Sequence, residues 1–100
     1  MQDRHVPLIV IASVTASSLA DAVATQLRRE GNVVYVTHSA DGCLRVATSV
    51  GPDLVLLDPD LPRPRRLEQL LRAHPRCAGT RILHLAEGVA RPSFSLTRVA

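Results

Sequence analysis

The sequence predicts a three-layer α/β domain built on a parallel sheet. Three observations predict it. Short apolar runs, too short for helices, recur at 8–12, 33–37, 54–57 and 81–86. Between them lie segments whose apolar residues recur at helical spacing. The connections are short, as strand–helix–strand crossovers with helices on both sheet faces require.

The first run, Leu8-Ile9-Val10-Ile11-Ala12, is β-branched and continuous, so it reads as a strand buried on both faces. A turn over 13–18 follows. Ser18 and Asp21 have capping-box-like spacing. Leu19, Val23 and Leu27 then recur every fourth residue, with Ala20 and Ala24 beside them. Arg28 and Arg29 suit the negative end of that helix and Gly31 its C-terminal cap, which places the helix over about residues 18–30.

Val33 to Thr37 form the second strand. Ser39 or Asp41 caps a second helix that packs through Leu44, Val46 and Ala47 and stops at Gly51-Pro52. Leu54 to Leu57 form the third strand. Leu67, Leu70 and Leu71 mark a short third helix ending near His74-Pro75, and 81–86 is a fourth strand. Glu87-Gly88 is a turn, and 93–99 is either a short last strand or a tail.

The 100 residues suffice for a single domain spanning 1–100. A hydrophobic share of 46% supports a core and argues against disorder, and that core is aliphatic, with one Phe, one Tyr and no Trp. So few aromatics leave few stacking platforms for nucleic-acid bases. The net charge of +3 comes with twelve arginines and no lysine, a balance too mild by itself to imply nucleic-acid binding. No apolar stretch reaches the roughly 20 residues of a membrane span. Asp3, His5 and Pro7 argue against reading the N-terminus as a signal peptide. Cys43 and Cys77 form no Cys-x-x-Cys pair, and two isolated cysteines fit a reducing cytoplasm.

The stretch that carries chemistry is Asp53-Leu54-Val55-Leu56-Leu57-Asp58-Pro59-Asp60-Leu61-Pro62. A buried strand delivers Asp58 to the carboxyl edge of the sheet, where ligands of open α/β sheets gather. With its flanking order of elements, this stretch resembles the receiver domain of bacterial response regulators, over about residues 7–86 and in one register to 98. Arg28-Arg29-Glu30-Gly31 looks like the end of the family's first helix. Gly51-Pro52-Asp53-Leu54-Val55 looks like the approach to its third strand, and Pro62 like the proline of the loop after the phosphoacceptor. The resemblance implies a flavodoxin-like sandwich, truncated or altered after the fourth strand, as an N-terminal part of a longer protein would be.

It also implies a phosphoacceptor at Asp58. Phosphoryl transfer to a carboxylate concentrates negative charge, and Mg²⁺ neutralises it. Family members hold that ion with two further acids after the first strand. Here that turn begins Ala12-Ser13-Val14-Thr15 and holds no carboxylate. Asp58 and Asp60 remain as weak metal ligands. The hydroxyl position after the fourth strand aligns with Leu85, and Arg98 stands in for the phosphate-binding lysine only if Leu96-Thr97-Arg98 is a fifth strand.

The resemblance therefore implies a degenerate receiver, not an enzyme, acting as a cytoplasmic protein-docking or dimerisation module in bacterial signalling or localisation. It needs no cofactor and no membrane. Mg²⁺ enters only under an alternative in which Asp58 is phosphorylated, and a regulator with a nucleic-acid-binding output is a further alternative. Arg63, Arg65 and Arg66, on a loop stiffened by Pro59, Pro62 and Pro64, form with Arg98 a candidate anion or partner-docking patch. His84 is expected to be a packed or capped strand residue, Cys43 a packed small side chain, and Cys77 a loop thiol with only Arg76 nearby to activate it.

Overall fold

Continuous apolar runs cannot leave either face of a strand in water, so the two central strands bury both faces between helices, while the two edge strands alternate buried and exposed residues. The computed structural model of the chain describes residues 6–13, 18–58 and 60–84. In chain order the elements are β1 (Leu8–Ala12), α1 (Ser18–Arg29), β2 (Val33–Thr37), α2 (Ala40–Val50), β3 (Leu54–Leu57), α3 (Pro64–Ala73) and β4 (Arg81–His84). A single 3-10 turn, Pro75–Cys77, links α3 to β4. The strands form one parallel sheet in the order β2-β1-β3-β4, with Val10 opposite Tyr35 on one side and Val55 on the other.

Strand alternation sorts the core into two layers. Ile9, Ile11, Leu54 and Leu56 face α1 and pack with Val23, Ala24 and Leu27. Val10, Ala12, Val55 and Leu57 face the other way and pack with Cys43 and Ala47 of α2 and Leu67 and Leu71 of α3. This is the expected three-layer arrangement. Of the predicted fourth strand, residues 81–84 are strand, and Leu85 and Ala86 lie outside the described residues. So do the expected turn at Glu87-Gly88, the candidate last strand and Arg98.

The helix ends follow local chemistry. At the end of α1, Gly31 adopts φ 94°. Its N–H donates to the Arg28 carbonyl and that of Asn32 to the Leu27 carbonyl, which closes a Schellman motif. The α2 N-cap is Ser39, whose Oγ accepts from the Gly42 N–H at 2.9 Å. Its other end stops at Gly51, which is left-handed at φ 62°.

Two expectations need correction. Arg65 and Arg66 are not in a loop: α3 starts at Pro64, so both stand on its first turn and only Arg63 precedes it. Proline at the first helical position loses no needed N–H and has its φ already set, so Pro64 starts the helix instead of delaying it. Cys77 is not a loop residue: the 3-10 turn folds it beneath α2, where it is 1% exposed and donates to the Ala47 carbonyl at 3.5 Å.

Candidate functional site at the carboxyl edge of the sheet

The strand order changes direction between β1 and β3, and the carboxyl ends of these two strands flank the crevice where open α/β sheets bind ligands. Asp58 follows β3 directly and Ser13 follows β1. The Asp58 N–H donates to the Ala12 carbonyl at 2.9 Å, which extends the ladder by one residue and fixes the aspartate at the crevice. The Ser13 N–H donates to the Thr37 carbonyl at 2.9 Å, so the serine is held in turn between the first two strands.

Both oxygens of the Asp58 carboxylate have donors. Ser13, fully buried, donates from Oγ to Oδ2 at 3.3 Å. The Asp60 N–H donates to Oδ1 at 2.9 Å, an Asx turn that shapes the loop leaving β3. Asp58 is half-buried, and Asp60 is exposed. The carboxylate thus fastens the adjacent turn to the end of β1. At the end of β2, the Thr37 hydroxyl is spent on the Ile11 carbonyl at 3.1 Å.

The arginines do not converge on this carboxylate. Among the described residues, no ion pair joins Asp58 to Arg63, Arg65 or Arg66. Arg63 and Arg66 border a cleft between α2 and α3, whereas Arg65 lies on the opposite flank of α3 with Glu68, Arg72 and His84. A single residue step separates these directions, because residues 65 and 66 sit about 100° apart around the axis.

Magnesium takes hard oxygen donors in near-octahedral order and is usually anchored by more than one carboxylate or by substrate phosphates. The crevice supplies the Asp58 carboxylate and, opposite it, a serine hydroxyl. Among the described residues no group of three or more His, Cys, Asp or Glu side chains could hold a metal ion. This donor set does not fit the ion that a receiver's phosphoryl chemistry uses.

A second polar cluster escaped the sequence reading. His84 is exposed and places Nε2 2.9 Å from Glu68 Oε1, so it is neither packed nor a cap. Arg72 contacts the other Glu68 oxygen, at 3.0 Å from Nε and 2.9 Å from NH2. Hydrogen bonds from His84 and then Arg72 hold the Glu68 carboxyl below its ordinary value. The Glu68–Arg72 half was readable as an i, i+4 pair on a helix. The His84 half joins residues on different elements and had no local signal. Asp53 was likewise missed: its Oδ2 accepts from the Leu8 N–H at 2.8 Å and pins the start of β1.

The architecture is a receiver-type doubly wound fold. It matches the crystal structure of the N-terminal domain of a response regulator receiver protein from Methanoculleus marisnigri JR1, with a TM-score of 0.71 and 23% sequence identity, covering 82% of this chain and 68% of that chain. No protein-family model and no curated protein matches the sequence. Among the described residues no helix is long and apolar enough to cross a membrane.

Proposed function

We propose that the chain is an atypical receiver domain that acts as a protein-docking or dimerisation module in bacterial signal transduction or localisation. In this reading it is not an enzyme, works in the cytoplasm, and transmits no Mg²⁺-dependent phosphoryl signal. The observation that carries it is the pairing of Asp58 with Ser13. The position that should bring a second negative charge to the crevice brings a hydroxyl, and that hydroxyl donates to the first carboxylate. A lone carboxylate already committed to a turn is a poor cation anchor and a poor phosphoacceptor. What remains useful is a rigid sheet displaying helix faces.

A second reading keeps Asp58 as a phosphoacceptor, because Asp58 stands at the crevice where such chemistry belongs. One experiment separates the two. Beryllofluoride with millimolar Mg²⁺ mimics the phosphorylated state and is added to ¹⁵N-labelled protein. The docking module predicts that the amide signals of Ser13, Asp58 and Asp60 stay in place. Saturable shifts at those residues that require both reagents would restore the switch.

A further inference from the structure

We propose that the cleft between α2 and α3 receives an acidic segment of a partner protein through one large apolar side chain. The proposal rests on the docking reading and names the surface and the chemistry of the partner. The cleft has a volume of about 180 Å³ and is floored by Leu44, Pro62, Leu67 and Leu70. A cavity of roughly 150 Å³ is known to accept benzene, so this one has room for a single phenylalanine or leucine side chain. Leu70 is 43% exposed, and among the described residues it is the one large apolar side chain on a helix left so open.

The rim favours acid. Arg63 and Arg66 border the cleft, both exposed, and among the described residues neither has an ion-pair partner. Asp41 stands at the rim on the α2 side and is the lone carboxylate there. The α3 helix breaks the rule its neighbours obey. Asp21 and Asp41 lie in the first turns of α1 and α2, whereas α3 has no acid in its first turn. It has arginines at 63, 65 and 66 instead, which sit against the positive end of the helix dipole. The Arg63 side chain supplies no cap, and its backbone is left-handed at φ 52°, an unfavourable conformation for a residue with a Cβ. Local conflicts of this kind are expected at functional or strained sites. The Arg66 and Leu67 N–H groups donate to the Arg63 carbonyl and Pro64 has none, so a carboxylate placed here would meet the Arg65 N–H and the two rim arginines together.

Charge also selects among occupants. A second copy of this chain carries net +3 and meets like charge. The chain's own residues 85–100 contain one acid, Glu87, against Arg91 and Arg98. An acidic partner has neither handicap.

The test is an NMR titration of the ¹⁵N-labelled 100-residue chain with a seven-residue peptide, Asp-Glu-Asp-Phe-Asp-Glu-Asp, blocked at both ends. Shifts should centre on Leu44, Arg63, Arg66, Leu67 and Leu70. A control peptide with serine for phenylalanine should bind weakly or not at all. The Arg63→Glu/Arg66→Glu double variant should bind about tenfold more weakly, the loss expected of two exposed charge pairs. Leu70→Asp should lose binding while keeping the native amide spectrum elsewhere. No shift up to millimolar peptide, shifts centred elsewhere, or indifference to these variants overturns the proposal. Signals at the cleft that move on dilution of the free protein would assign it to a second copy and overturn it as well. A response to beryllofluoride and Mg²⁺ would sink the docking reading; loss of peptide binding without that response removes only the cleft assignment.

Discussion

Cys43 and Cys77 are 0% and 1% exposed in the layer between the sheet and α2. Burial pushes the Cys43 thiol up from its ordinary 9.0 to about 12, and the nearby Cys77 adds to the rise. Burial raises Cys77 too. The folded protein therefore keeps a proton on Cys43 that the unfolded chain releases above about pH 9. Stability is fully present below that pH and is lost as pH rises from about 9 towards 12. The slope from one such group is at most about 1.4 kcal/mol per pH unit. Urea midpoints at pH 8 and pH 10 should show the decline in the native sequence and a shallower one in Cys43→Ala. Equal slopes in the two proteins would exclude Cys43 as its source. The small-apolar reading of Cys43 held because a thiol inside a helix packs wherever its face points. The burial of Cys77 had no sequence signal, because a 3-10 turn is too short to leave a periodic pattern.

Helix ends divide the elements into those the sequence specifies locally and those it does not. Both ends of α2 are local devices: Ser39 caps one and left-handed Gly51 closes the other. The sequence left Ser39 and Asp41 as rival caps, and the Ser39–Gly42 bond decides between them. Ser39→Ala should then lower stability by about 1 kcal/mol in urea denaturation, whereas Asp41→Ala, which removes only a charge near the dipole, should cost a few tenths. The reverse order of the two variants would make Asp41 the working cap. The start of α3 was illegible for the opposite reason. Prolines at 62 and 64 among arginines have the composition of a loop, and only the backbone reveals that Pro64 occupies the first helical position.

At the scale of the molecule, the layers were legible because the central strands are continuous apolar runs, and such runs fit only a sheet covered on both faces. The crevice was half legible. Asp58 announced itself by ending a buried run, but its bond to Ser13 spans 45 residues, as does the Asp53–Leu8 bond, and such pairs exist only once the strand order is fixed. The same holds for the edge of the sheet. Arg28 reads locally as a favourable charge at the end of α1. In the fold its NH2 also donates to the Val34 carbonyl at 2.9 Å. Val33 turns its N–H inward to the Pro7 carbonyl, so by alternation the groups of Val34 face away from β1, on the open side of an edge strand. Exposed edges of this kind template pairing with other chains, and Val33 and Tyr35, each 40% exposed, would add apolar contact to such pairing. A charged side chain laid over the outward carbonyl opposes it. Arg28→Ala should therefore raise the mean mass seen by light scattering above that of the native sequence at equal concentration. Arg29→Ala removes the same charge from the same helix end without uncovering the edge, so it should leave the mass unchanged. If the two variants scatter alike, the contact with Val34 does not guard the edge.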